Sequence, residues 1–284
     1  MLTDIHRVLL TYIRSVKAIQ LNSLLEAFTL IIQRLHPEHE HEHEHEHESE
    51  SGHNAINSPS IEPSRDALEQ YIREINAEIT KQGFKIDRKN DELNGTLYFI
   101  FINTAMDEII KQTTIYTHME LVAIKNLIEE IIEAEHFAFS LPRSNAQQIV
   151  SSHLSRPLKE SSYFIDRLID EGWFKATLDD RLILSINSLC ELKQYLLETY
   201  GNTNSSEGNR RENRSQDRDI VDGGNGPESK LLICRQCKEL VTLGVLSIEK
   251  DAFHRRCYEV YCRNNRIEAN EDNLLRVGAD PSTL

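Results

Sequence analysis

Four residues near the C-terminal end restrict this chain more than any other feature. They lie in CRQCKELVTLGVLSIEKDAFHRRC, residues Cys234 to Cys257, as C-x2-C, sixteen residues, then H-x2-C. A C-x2-C pair forms a tight turn that offers two thiolates to one ion, and H-x2-C does the same from the start of a helix. Cys234, Cys237, His254 and Cys257 therefore read as a Cys3His set for one structural zinc, tetrahedral and with no position left for water. Such a site is itself folding energy, so residues 230–268 are expected to form a small domain around the ion. Buried free thiols beside a surface histidine are the competing reading, and two close-spaced pairs in one short span favour zinc. Of the five cysteines, the other two are Cys190, expected in a helical core, and Cys262.

Two polar segments divide what remains. Residues 36–64, HPEHEHEHEHEHESESGHNAINSPSIEPS, alternate His and Glu strictly from Glu38 to Glu48. Period-two alternation suggests a strand, but neither residue type has an apolar face to bury, so the segment reads as a solvated insertion. Residues 200–229, rich in Asn, Ser, Gly and Arg, read as a flexible linker whose arginines serve solubility. The insertion also distorts the net charge of −14: residues 36–62 hold eight glutamates and no Lys or Arg, leaving −6 for the rest. Around the metal motif, residues 230–266 carry a net +4. Wholesale coating of nucleic acid is thereby disfavoured, while the basic end leaves room for a weak local DNA contact. No stretch approaches a membrane span, and MLTDIHRVLL lacks a signal peptide's basic start and apolar run. Few cysteines, paired at zinc spacing, fit a reducing compartment.

Within residues 1–35 and 65–199 a unit occurs twice. One copy is ALEQYIREINAEITKQGFKI followed by GTLYFIFIN; the other is SSYFIDRLIDEGWFKATLDDRLILSIN. Each is a helix closed by glycine (Gly83, Gly172), an aromatic strand, a polar turn and an apolar strand ending in Ile-Asn (Ile102-Asn103, Ile186-Asn187). Helices are expected before each copy, at Asp4–Ser15 and Leu21–Leu35, then at His118–Glu135 and Ser144–Leu154. Three helices and a two-stranded wing make the winged-helix plan. The expected architecture is therefore α+β, mainly helical: winged helix A over residues 1–103, winged helix B over 104–199, the linker, the zinc domain, and a tail over 269–284.

A winged helix usually reads DNA with its third helix, which then needs Lys and Arg for phosphates and bases. Here Lys159 to Glu171 sets Lys159 and Arg167 against Glu160, Asp166, Asp170 and Glu171, and Arg65 to Lys81 is also acidic on balance. Groove insertion is disfavoured. A protein partner suits the composition better, and the long apolar helix His118–Glu135 is the candidate contact.

Tandem winged helices, a linker and a C-terminal zinc segment resemble the family of non-SMC element one, a subunit of the SMC five–six chromosome-maintenance complex. The resemblance is carried by MLTDIHRVLL, LYFIFINTAMDEIIKQTTIYTHMEL, DEGWF, QYLLETY, ICRQC and FHRRC, in that order. It implies a nuclear, chromatin-associated subunit in DNA repair and recombination that binds a MAGE-like partner and a kleisin. It also implies a RING-like zinc domain linked to E3 ubiquitin ligase activity. A RING holds two zincs in a cross-braced pattern, and only the first set is present. Leu246 and Glu249 occupy the inner positions of the second, and after Cys257 only Cys262 remains. Gln236, inside the first pair, stands at the position that faces a ubiquitin E2 in RING ligases, where an apolar residue is expected. The sequence thus points to a degenerate RING-like domain with one zinc and to a non-catalytic interaction subunit. An E3 ligase and a winged-helix nucleic-acid binder are the alternatives.

Overall fold

A computed structural model of the chain describes residues 2–35, 63–104, 116–201, 230–267 and 273–284. Nearly all of the His/Glu-rich insertion and of the linker, residues 36–62 and 202–229, lies outside the described residues. The chain divides into two compact units: residues 1–90 with 96–105, and residues 91–95 with 106–284. The loop Asp91–Gly95 thus groups with the second unit, although its chain neighbours belong to the first.

The first unit contains α1 (Asp4–Val16), β1 (Ala18–Gln20), α2 (Leu21–Leu35), α3 (Arg65–Ile79), β2 (Phe84–Asn90) and β3 (Leu97–Asn103). Ser64 caps α3 by accepting the Ala67 N–H at 3.2 Å, and Gly83, at φ +79°, turns the chain into β2. β3 is the centre of an antiparallel sheet of order β1-β3-β2. One side-chain amide ties helix to sheet: Asn76 accepts from the Ile86 N–H at 2.8 Å and donates to the Ile86 carbonyl at 2.9 Å. Ile5, Leu9, Ile13, Leu24, Phe28, Leu68, Ile75 and Phe99 form the core, one helical stripe from each of the three helices closed by the sheet.

The second unit repeats this order. It has α4 (His118–Ile132), β4 (Leu141–Pro142), α5 (Arg143–Leu154), α6 (Leu158–Asp170), β5 (Phe174–Ala176) and β6 (Arg181–Leu184), with a sheet of order β4-β6-β5. A capping box opens α4: Thr117 Oγ1 accepts from the Glu120 N–H at 3.2 Å, and Glu120 accepts from the Thr117 N–H at 2.9 Å. The DEGWF turn is a Schellman closure of α6. The Trp173 N–H donates to the Leu168 carbonyl at 2.9 Å and the Gly172 N–H to the Ile169 carbonyl at 3.0 Å, with Gly172 at φ +81°.

Four expectations are corrected. Ile186-Asn187 does not end a strand but opens α7 (Ile186–Glu191), because the Ser185 hydroxyl accepts the Ser188 N–H and starts a helix there; α8 (Lys193–Tyr200) follows. The helix expected over His118–Glu135 ends at Ile132 and offers no broad apolar face. Leu121, Ile124, Leu127, Ile128, Ile131 and Ile132 are all buried in the unit's own core. The third correction concerns the C-terminal end. β7 (Leu232–Ile233), β8 (Leu240–Val241), β9 (Gly244–Leu246), β10 (Ala252–Phe253) and α9 (Arg255–Asn265) form the metal-motif segment. Residues 273–284, expected within a tail, supply β11 (Leu275–Val277), antiparallel to β9 in a sheet of order β10-β9-β11.

The metal-motif segment is also not a separate bead. Leu240, Val241, Val245, Phe253 and Val277 belong to the same buried cluster as Leu127, Phe139, Leu189 and Leu196. Lys193 pairs with Glu239 at 2.7 Å, and the Gly278 N–H donates to the Phe137 carbonyl at 2.9 Å. A linker composition between Tyr200 and Lys230 carries no sign of this shared core, since the docking residues are ordinary apolar positions on either side of it.

Candidate metal centre

β7 runs straight into a knuckle. The Cys234 N–H donates to the Glu239 carbonyl at 2.8 Å and the Lys238 N–H to the Cys234 carbonyl at 2.9 Å, with Lys238 at φ +63°. That tight return brings Cys234 and Cys237 together. The Arg235 N–H donates to the Ala252 carbonyl at 2.9 Å, so the knuckle lies against β10 and the second ligand pair arrives beside the first. His254 is the N-cap residue of α9, and Cys257 sits in the helix's first turn. Positions three apart at a helix start face the same side, which is why an H-x2-C spacing converges here.

The four donor atoms lie within 4.8 Å of one another. Cys237 Sγ is 3.3 Å and Cys257 Sγ 3.8 Å from His254 Nδ1. A tetrahedral zinc with Zn–S of about 2.3 Å has ligand–ligand edges of roughly 3.5–3.8 Å, so the set fits a Cys3His zinc with small adjustments. Cys234 and His254 are buried, Cys257 is half-buried and Cys237 is exposed.

Charge within the cluster is shared. Burial works against ionising Cys234, but the hydrogen bond with His254 and the backbone N–H groups of Cys237, His254 and Gln236 bring its pKa down to about 6. Burial also opposes a charged His254, and the Cys234 and Glu92 side chains outweigh it, pushing the imidazole up to about 12. Cys257 is pushed up to about 11 by burial and by the two neighbouring thiols, despite the opposing hydrogen bond with His254. Protons thus stay on His254 and Cys257 where a dication would sit, so loading a metal must release them.

His254 is oriented from behind. While Nδ1 faces the thiols, Nε2 lies 2.9 Å from the Leu240 carbonyl and 3.2 Å from Glu92 Oε1. Glu92 belongs to the loop Asp91–Gly95 and is 162 residues from His254 in sequence. No spacing rule reaches that far, so the sequence carried no signal for it.

The other sequence candidates fall outside the four-donor cluster. Gln236 is exposed in the knuckle. Leu246 is buried in β9, paired with Ala252 and Leu275, and Glu249 is exposed in the turn before β10. Cys262 is buried on α9, and Cys190 is half-buried on α7. Arg235 pairs with Asp251 and lies 5.3 Å from the Tyr261 ring centroid.

Comparison with known proteins agrees with the architecture. The family described as Nse1 non-SMC component of SMC5-6 complex matches residues 6–162, more than half of the chain. Non-structural maintenance of chromosomes element 1 of Schizosaccharomyces pombe is 22% identical over 203 residues, 72% of this chain and 73% of that protein. The Homo sapiens homolog of element 1 is 28% identical over 141 residues, so the match spans 48% of this chain and only 50% of the human relative. A chain from a solved Nse1-Nse3-Nse4 complex shares the fold with a TM-score of 0.66, at 14% identity, over 93% of this chain and 92% of that one.

Proposed function

The chain belongs to the Nse1 family, and we propose that it is a non-catalytic interaction subunit of an SMC5-6 chromosome-maintenance complex. The family match over residues 6–162 carries this reading. In it, the two helical units are tandem winged helices that bind a MAGE-like subunit and a kleisin, and the RING-like end is braced by one zinc. Support for such partners comes from the similar solved chain, which belongs to an Nse1-Nse3-Nse4 complex. The complex would act in DNA repair and recombination, in the nucleus.

Direct groove binding by the third helices is disfavoured by the way their basic side chains are used. On α3, Arg65 pairs with Glu69 at 3.0 Å, and Arg88 of β2 pairs with the same carboxylate at 3.2 Å. Arg167 lies 5.0 Å from the ring centroids of Tyr116 and Phe164 and pairs with Glu171 at 3.4 Å. A guanidinium already neutralised this way gains little by releasing counterions from phosphate.

The non-catalytic part of the reading rests on Leu246 and Glu249. One is a buried strand residue and the other an exposed turn residue. Among the described residues, metal-donor side chains gather closely enough to share an ion only in the single Cys3His set. Co-expression of the full chain with Nse3-type and Nse4-type proteins of the same organism is expected to yield a stoichiometric complex by native mass spectrometry. Failure to form one would remove the subunit reading. The same complex, offered a broad panel of charged E2 enzymes, is expected to make no ubiquitin chains. Chains that disappear with Cys234→Ala would make it a ligase instead.

A further inference from the structure

Glu92 is a carboxylate whose side chain is only 5% exposed. Removing a carboxylate from water is costly unless its lone pairs are filled. They are filled here by two backbone amides, a hydroxyl and a metal-site imidazole. The Thr242 N–H lies 3.2 Å from Oε1 and 3.3 Å from Oε2; the Thr242 hydroxyl donates to Oε2 at 2.6 Å, and the Leu243 N–H to Oε2 at 3.0 Å. His254 Nε2 stands 3.2 Å from Oε1.

We propose that Glu92 is a positioning residue of the metal centre, holding His254 with Nδ1 toward the thiolates, and that the loop Asp91–Gly95 is part of that centre. The inference rests on reading the four donors as a metal site. Two things support a role beyond filling space. First, the carboxylate grips the corner Thr242–Leu243, which directly follows β8, and β8 supplies the Leu240 carbonyl, the other acceptor for Nε2. The two acceptors that fix the imidazole are therefore joined through one short stretch. Second, the loop is built to hold its shape. Asp91 Oδ1 accepts from the Leu93 and Asn94 N–H groups at 2.9 and 3.0 Å, and the Asp91 carbonyl accepts from Gly95 at 2.9 Å. Arg256, the residue before Cys257, donates to the Asn94 carbonyl at 3.0 Å. The loop thus touches the neighbourhood of both members of the H-x2-C pair. A carboxylate behind a metal-bound imidazole sets which nitrogen carries the proton and raises the basicity of the other.

Glu92→Gln separates this role from a merely structural one. The glutamine oxygen still accepts from Thr242 or Leu243, while the charge behind Nε2 is gone. With the full chain and zinc competed by a chromophoric chelator, Glu92→Gln is expected to weaken binding by about 10–100-fold. Nitrogen-15 spectra of the zinc-loaded wild type are expected to show metal on His254 Nδ1 and a protected proton on Nε2, whose resonance moves upfield in the variant. An affinity within threefold of wild type, with that resonance unmoved, overturns the proposal. Should the variant fail to fold, hydrogen exchange on the wild type decides. Zinc is expected to protect the amides of Leu93, Asn94 and Gly95 together with Thr242 and Leu243, and protection of the second pair alone overturns the proposal. A wild-type chain that takes up no zinc would instead remove the metal reading itself, a distinct outcome.

Discussion

Gly278 tests whether the C-terminal residues are a strand or a tail. It follows β11 at φ +86°, and a Cβ there would meet the Thr242 carbonyl oxygen at 2.0 Å. Gly278→Ala therefore incurs the left-handed penalty of about 1–2 kcal/mol and a clash with backbone that no rotamer relieves. Relief requires β11 or the Thr242 corner to move by about an ångström. Moving β11 weakens the packing of Val277, 2% exposed, worth about 1.5–3 kcal/mol when full, and the Gly278–Phe137 hydrogen bond, worth about 1 kcal/mol. Losing part of each puts the total near 3–5 kcal/mol, or roughly 10 °C in a unit of this size. The only tryptophan, Trp173, is buried in the same unit, so its fluorescence reports thermal unfolding there. Leu275→Ala is the control: it lies on the same strand but is 67% exposed, and a change within about 0.5 kcal/mol is expected. If Gly278→Ala melts within about 2 °C of wild type, residues 273–284 do not contribute to the fold as described.

Two further predictions concern charge and metal. Deleting residues 38–60, so that the insertion's histidines add no loosely held ion, is expected to leave one zinc per chain by metal analysis. Binding is expected to release protons into a weakly buffered solution, and two equivalents of zinc would refute the ligand count. Glu120 is buried; burial raises its pKa, but the Thr117 N–H and hydroxyl, with Arg167 and Arg156, hold it below the usual carboxylate range. A depressed folded pKa adds stability above the unfolded value of about 4.3, and that stability is lost as pH falls through the folded pKa. Glu120→Gln is expected to cost about 1–3 kcal/mol near neutrality and progressively less toward pH 3. A difference between variant and wild type that is constant across this range would refute the assignment.

The readable parts of this molecule were those governed by local rules. Gly83 and Gly172 declare where the third helix of each unit closes, because a left-handed closure acts within a few residues. The convergence of the four candidate donors was equally legible, since a knuckle and a helix start each fix their own pair. The short strands β1 and β4 were not. They are three and two residues long and exist only because β3 and β6 present an edge to pair with. Glu92 escaped for a related reason. As a sequence it is one acid in DRKNDELNG, and its burial becomes visible only when Thr242 and His254 arrive from the other end of the chain.

β11 bears on how the metal-motif segment, with a single candidate donor set among the described residues, keeps its second half folded. A structural zinc contributes about 10–16 kcal/mol in small isolated sites, so losing one cannot be absorbed by loops alone. Where the resemblance to a RING calls for a second set, the chain has Leu246, sandwiched between Ala252 and Leu275 in the sheet β10-β9-β11. Val245, Leu246, Phe253 and Val277 are each less than 8% exposed. At about 1.5–3 kcal/mol per buried side chain, four of them supply roughly 6–12 kcal/mol, the order of one ion. Restoring the ligand residues by Leu246→Cys would thus remove part of the apolar packing that stands in the ion's place. These four side chains act together because they join the larger core with Leu127, Phe139 and Leu196. An isolated segment of this size would bury too little to hold them. The shared core and the single candidate donor set are therefore two sides of one arrangement: packing shared with the rest of the unit stands where a second ion would otherwise be called for.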